Sequence, residues 1–203
     1  MQKIIFATGN QNKMVEIRQV LAGMQAEILS LKDVGIDVDI VEDGKTFEEN
    51  ALIKVKAIHE LLPEGLILAD DSGLEVDYMD KAPGIYSARF LGYDTSYDYK
   101  NQYIIDQLKD AVGEERSARF VCAIAAAFPN GETAVVRGTI EGQIAYAPSG
   151  NGGFGYDPIF YLPERGCTTA DLSAEDKNAI SHRGNALRMM RPLMEAWLQE
   201  NRG

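Results

Sequence analysis

The stretch "LADDSGLEVD" places two adjacent carboxylates, Asp70 and Asp71, directly after a short apolar run, with Ser72 and Gly73 behind them. Adjacent side chains on a strand point to opposite faces, so one carboxylate can face a ligand while the other braces a loop or a metal-bound water. One such group, with a second carboxylate from elsewhere, is what a hard divalent cation such as Mg²⁺ takes from a protein; water and phosphate oxygens complete the octahedron. Glu42 and Asp43 in "VEDGKTF" are the candidates for that second acid, although loop acids also serve simply as solvated charge. "TGNQNK" lines up Thr8, Gly9, Asn10, Gln11, Asn12 and Lys13 between a strand and the start of a helix. Free backbone N–H groups and the helix dipole suit that position to a phosphate, and Lys13 adds a full charge. A capped turn with a surface lysine has the same composition.

"SGNGGFGYDPIF" contains a G-x-G-x-x-G string, Gly150, Gly152 and Gly155. A dinucleotide fingerprint follows a strand, opens a helix and has an acidic residue about 20 positions on. Here Gly155 is followed by "YDPIFYLP", whose prolines cannot open such a helix, and no acid follows at the required place. There is no P-loop either. Phe154, Tyr156 and Asp157 among the glycines suggest instead a wall that backs an aromatic ligand, or else a plain flexible turn.

"KNAISHRGNALR" holds His182, one of two histidines, beside Arg183 at an expected helix start capped by Ser181. A lone histidine is commonly structural; the arginine next to it and Lys177 nearby favour ligand contact. Lys54 lies one turn on from Asn50 and off its helix's apolar stripe, a pair that faces either a ligand or solvent. His59, in the middle of a helix, is given no role. No Ser-His-Asp arrangement or zinc spacing emerges. Basic groups, a few acids and an aromatic glycine loop fit Mg²⁺-assisted attack of water on a nucleotide phosphate better than acyl or hydride transfer.

These residues need a scaffold, and the pattern predicts one. "KIIFAT" reads as a buried strand, followed by a helix with Met14, Ile17 and Leu21 on one face. Segments 26–31 and 36–41 alternate weakly, as strands do. Thr46 and Glu49 form a capping box ahead of a helix with a stripe of Phe47, Ala51, Val55, Ile58 and Leu62. Pro63 and Gly65 end it, and "GLILA" is a short buried strand that delivers Asp70 and Asp71 at its C-terminal end. A helix follows over 98–111, then strands at 119–128, 133–140 and 142–147, the first two joined by a Pro129-Asn130-Gly131 turn. A short helix at 173–180 precedes a longer one from Ser181 to about Glu200, which Pro192 bends or restarts. The fold class is α/β with a mixed sheet and flanking helices.

The 203 residues suffice for one domain, or one domain of two lobes, with a substantial core. A net charge of −11 argues against a polynucleotide partner, but not against a triphosphate held by a few focused cations. No apolar run approaches a membrane span or a signal peptide. The two cysteines, Cys122 and Cys167, suggest no disulfide framework. A cytoplasmic protein is the simplest reading.

Six stretches, in this order, resemble the inosine triphosphate pyrophosphatase family: "FATGNQNK", "TFEENALIKVKA", "LADDSGLEVD", "APGIYSARF", "GGFGYDPIF" and "SHRGNAL". The resemblance runs from residue 5 to about 188. It implies Mg²⁺-dependent hydrolysis of ITP, dITP and XTP to the monophosphate and pyrophosphate by a homodimer. It also implies an elongated sheet in two lobes with the site in a central cleft. Carried over motif by motif, Thr8 to Lys13 bind the phosphates, Asp71 is general base and metal ligand, and Ser72 contacts substrate. Phe154, Gly155, Tyr156 and Asp157 frame the base, with Lys177, His182 and Arg183 completing its pocket. Where relatives often read Glu-Glu-Thr-Gly, this chain has Glu42-Asp43-Gly44, and Glu42 is favoured as the second metal acid.

On that footing Phe154 would stack on the purine, Lys13 and Lys54 would neutralise the triphosphate, and Arg183 would donate to the 6-carbonyl that adenine lacks. A hydrolase of other aberrant triphosphates such as dUTP, and a non-catalytic nucleotide sensor, are the competing expectations.

Overall fold

The structure is a computed structural model that describes residues 2–201. The apolar run "IIF" makes the first strand, β1 (Gln2–Phe6). Helix α1 (Gln11–Val20) follows, with Asn10 at its N-cap accepting from the Lys13 amide. β2 (Ala26–Ser30) lies parallel to β1, Ile4 opposite Ile28. No strand forms over 36–41, where the chain is irregular. Weak alternation without a neighbouring strand to complete the ladder does not make one.

Helix α2 (Phe47–Leu61) starts as its capping residues predict: Thr46 Oγ1 accepts from the Glu49 amide at 3.1 Å. The Glu49 carboxylate reaches back to the Lys45 amide, 2.6 Å away, just before the cap. Phe47, Ala51, Val55 and Ile58 form its buried stripe, and Asn50 and Lys54 are buried beside it. β3 (Leu66–Val76) is longer than expected; Asp70 and Asp71 lie in its middle and not at its end. Apolar residues resume after Gly73 with Leu74 and Val76, both fully buried, so the strand continues.

Helix α3 (Tyr97–Gln107) leads to β4 (Ser117–Ala127). The Pro129-Asn130-Gly131 turn then feeds β5 (Thr133–Ile144), a single strand where two were expected. β6 (Phe160–Leu162) and β7 (Cys167–Thr168) follow the glycine loop. α4 (Ala174–Ile180) is capped by Ser173, and α5 (His182–Glu200) runs through Pro192, whose ring is exposed. The sheet order is β2-β1-β3-β4-β5-β6-β7. β1 pairs in parallel with β2 and β3, while β6 is antiparallel to β5 and β7, so the sheet is mixed.

The chain divides into two units. Unit 1 takes in the chain up to Asp71, Cys122–Gly138 and the chain from Arg183 onward. Its core joins Ile4, Phe6, Leu66 and Leu68 of the strands to Met14 and Ile17 of α1 and to Leu187, Met190 and Met194 of α5, with Trp197 packed against it. Unit 2 comprises Ser72–Val121 and Thr139–His182. Its core gathers Leu74, Val76, Ile104, Leu108, Phe120, Ile159 and Phe160. Burying each such side chain contributes about 1.5–3 kcal/mol. Among the described residues no helix is long and apolar enough to cross a membrane.

Candidate active site

In unit 1, α1, α2, β3, α5 and the loop before α2 bring seven charged side chains together. Lys13 Nζ stands 3.0 Å from Asp70 Oδ2, and Arg183 donates to the same oxygen from 3.2 Å. Arg183 also pairs with Glu16, one turn on from Lys13. Lys54, on α2, donates to the Asp70 carbonyl at 2.8 Å and to Glu42 at 2.9 Å, and lies 3.9 Å from Asp71. Asn50, the turn before Lys54, donates to Asp71 Oδ2 at 3.1 Å and accepts from the Gly44 amide at 2.9 Å. That amide approach requires Gly44: a Cβ there would stand 2.7 Å from Asn50 Oδ1.

The two aspartates therefore divide the work, and their chemistry diverges. Burial would raise the carboxyl pKa of Asp70, but Lys13, Arg183 and Lys54 prevail and hold it well below the usual range. Asp71 goes the other way. Burial raises it and Glu42 adds to the rise, against the pull of Lys54, Lys13 and the Asn50 hydrogen bond. A carboxylate whose proton affinity is raised is better suited to accept a proton. Burial works against the charge of Lys54, yet Asp71, Asp70 and Glu42 together raise its pKa.

Thr8 is half-buried, and Gly9 to Asn12 are exposed at the N-terminus of α1, whose first turn has no acidic residue. The stretch leaves open amides beside Lys13. Glu42 keeps its carboxylate partly in solvent, with 30% of its side chain exposed, whereas Asp71 is 11% exposed. Two oxygen donors, one buried and one open, fit a hard divalent cation that retains most of its water. Among the described residues no three of His, Cys, Asp and Glu converge as a ready-made metal cage.

The glycine loop belongs to unit 2, and its glycines answer to protein, not to phosphate. Gly150, Gly153 and Gly155 all have positive φ. A Cβ on Gly150 would collide with the Ala170 backbone, and one on Gly153 with the Asp157 carboxylate. Asp157 Oδ2 accepts from the Phe154 amide at 2.8 Å and from Lys177 at 2.6 Å. Lys177 lies 5.2 Å from the Phe154 ring centroid, in cation–π contact. Asn101 holds the Gly155 carbonyl at 3.1 Å, and the Tyr156 hydroxyl donates to the Ser87 carbonyl at 2.7 Å. Tyr156 also meets Tyr97 edge to face at 5.2 Å. Its phenol is pushed to a higher pKa by burial. His182 stacks on Phe120 with ring centroids 4.8 Å apart.

The expected residues thus fall into two sets. Lys13, Glu42, Lys54, Asp71 and Arg183 converge in unit 1; Phe154, Gly155, Tyr156, Asp157 and Lys177 converge in unit 2, where His182 and the half-buried Ser72 also lie. Arg183 is adjacent to His182 in the chain, but its guanidinium is fully buried between Glu16 and Asp70. Of the two loop acids Glu42 is the one that Lys54 holds in the cluster, at 2.9 Å, which favours it over Asp43. The sequence did not mark Glu16, although it sits three residues after Lys13 and so on the same helix face.

The Ham1 family model matches residues 4–193. The dITP/XTP pyrophosphatase of Clostridium perfringens is 45% identical over 204 residues, covering 98% of this chain and 100% of that one. That of Bacillus subtilis is 40% identical, covering 97% and 98%. The structure of the Staphylococcus aureus Ham1 protein is similar with a TM-score of 0.85 at 38% identity, covering 96% of this chain and 99% of that one. A nucleoside-triphosphatase / dITP/XTP pyrophosphatase from Mycobacterium abscessus gives a TM-score of 0.74 at 40% identity, covering 94% and 100%. With a buried acid–base cluster, an aromatic glycine loop and full-length likeness in both sequence and fold, this chain belongs to the Ham1 family.

Proposed function

We propose that this protein is a nucleoside triphosphate pyrophosphatase that hydrolyses ITP, dITP and XTP to the monophosphate and pyrophosphate, clearing them from the nucleotide pool. The observation that carries the reading is the divergence of Asp70 and Asp71. Asp70 is held by Lys13 and Arg183, whereas Asp71 is buried beside Lys54 and accepts from Asn50. The names of the C. perfringens and B. subtilis relatives support the same reaction.

In this mechanism the amides of Gly9, Gln11 and Asn12 receive phosphate oxygens, and Lys13 and Lys54 offset their charge. Asp71 takes the proton of a water molecule as its oxygen attacks the α-phosphorus. The bond from that phosphorus to the bridging oxygen breaks, and its electron pair leaves with pyrophosphate. Asn50 holds Asp71 Oδ2, so the other oxygen is the one that receives the proton. Glu42 and Asp71 would hold Mg²⁺, which when bound polarises phosphate oxygens and stabilises the leaving charge. Phe154 to Asp157 with Lys177 receive the base, Phe154 by stacking, while Ser72 and His182 contact the nucleotide. Arg183 acts on the nucleotide through Asp70 and Lys13, which it steadies. The active form in this reading is a cytoplasmic homodimer.

The test is release of pyrophosphate from ITP, XTP, ATP, GTP and dUTP in parallel, with Mg²⁺ and with excess chelator. Pyrophosphate from ITP and XTP far faster than from ATP or GTP, and only with the cation, is expected. Orthophosphate as the product would move the attack to the γ-phosphorus and overturn the reading. Binding without turnover would leave a nucleotide sensor.

A further inference from the structure

We propose that Thr169 is a positioning residue for base recognition, acting through Asp157; the inference rests on reading Phe154–Asp157 as the segment that receives the base. Three donors converge on the Asp157 carboxylate. The Phe154 amide and Lys177 bond Oδ2, and the Thr169 hydroxyl bonds Oδ1 at 2.8 Å. The hydroxyl also lies 3.2 Å from the Asp157 carbonyl, but the shorter contact to the charged oxygen takes its single proton. Thr169 and Asp157 are each 2% exposed, so water does not substitute for the hydroxyl.

The terminal torsion of an aspartate is soft, and Lys177 alone would let the carboxylate rotate towards the ammonium. By fixing Oδ1, Thr169 fixes where Oδ2 points, and so keeps the Phe154 amide bonded and the Phe154 ring in place over Lys177. The backbone next to Thr169 is locked to the same loop. Ala170 accepts from the Gly152 amide at 2.9 Å, and Asp171 Oδ1 accepts from the Ser149 hydroxyl at 3.0 Å. A change at residue 169 is therefore felt at the loop first.

The test compares wild type with Thr169→Val, which keeps the shape and removes the donor, and Thr169→Ser, which restores it. Turnover of ITP and competitive inhibition by inorganic tripolyphosphate, which has no base, are measured for each. Thr169→Val is expected to raise KM for ITP about tenfold, the value of one buried bond to a charged group, with kcat and the tripolyphosphate Ki within about twofold. Thr169→Ser is expected to return KM to the wild-type value. An unchanged KM in Thr169→Val, or an equal weakening of tripolyphosphate, overturns the inference. Should the valine variant not fold, Thr169→Ala is read by the same criteria. A wild-type protein inert to every triphosphate overturns the functional reading and this inference with it; an active wild type with an unaffected Thr169→Val overturns this inference alone.

Discussion

The ammonium of Lys54 lies 2.9 Å from a Glu42 carboxylate oxygen, so an acid from an irregular loop is anchored by a lysine from the middle of α2. The contact makes a solvated loop acid part of a fixed cluster. It also lets Glu42 approach Asp71 without the full repulsion of two like charges, since the lysine lies close to both.

Asp71→Asn keeps the size and the hydrogen bond to Asn50 while removing the proton acceptor. Turnover of ITP is expected to fall by about 10²–10⁴, the range for loss of a general base. The thermal midpoint is expected to hold, because a buried charge is removed and none is stranded. Pyrophosphate release and thermal unfolding monitored by circular dichroism check both. A variant of near-normal activity would remove Asp71 from the base role.

Arg183→Ala tests the opposite kind of residue. It removes the guanidinium that pairs with the buried Glu16 and that shares Asp70 Oδ2 with Lys13. Stability is expected to fall by about 3 kcal/mol or more, the cost of breaking a buried pair. Urea unfolding measures it. A loss below about 1 kcal/mol would mean that the acids find other partners or take up protons.

The two cysteines should separate cleanly in a thiol-labelling experiment. Cys122 is fully buried in the core of unit 1, and burial pushes its thiol up to about 12. Cys167 is only half-buried. A maleimide is expected to modify one thiol per native chain and two after denaturation, with the fast site mapping to Cys167. Rapid native labelling of Cys122 would show that the core of unit 1 opens.

Acid sensitivity has a named source in unit 2. Hydrogen bonds from Arg119 and then Lys81 hold the Asp77 carboxyl down to about 2. A depressed folded pKa contributes stability that is complete above the ordinary carboxyl pKa and lost as the pH falls towards the folded value. The contribution therefore fades between about pH 4 and pH 2. Asp77→Asn is expected to flatten that part of the stability profile and leave it unchanged in slope near neutrality. The group is partly exposed, so salt should weaken the effect.

What was legible in the sequence was what local chemistry writes there. Thr46 and Glu49 announced α2 because capping uses residues three apart, and the apolar stripe behind them fixed which face is buried. The rejection of a dinucleotide site at Gly150–Gly155 came from the residues after it, and the structure gives the glycines another duty. The continuation of β3 past Ser72-Gly73 was not legible, since a strand's end depends on what pairs beside it. The Glu16–Arg183 pair spans 167 residues, and no spacing rule reaches that far. Thr169 gave no signal either: a threonine near Asp171 reads as turn chemistry, and its tie to Asp157 exists only once the loop has folded back.

The single tryptophan, Trp197, packs on the core of unit 1, and all nine tyrosines fall within unit 2. The molecule therefore carries two optical labels on separate territory. Emission excited at the red edge of the indole band reports unit 1 alone, and the tyrosine bands report unit 2. A melt followed at both wavelengths would show a single transition if the units lose structure together and two if they part company. Ligands can be sorted in the same way: one that acts on the Phe154 loop should shift the phenol spectrum of Tyr156 and Tyr97, and one confined to the Lys13 and Lys54 cluster should leave it still.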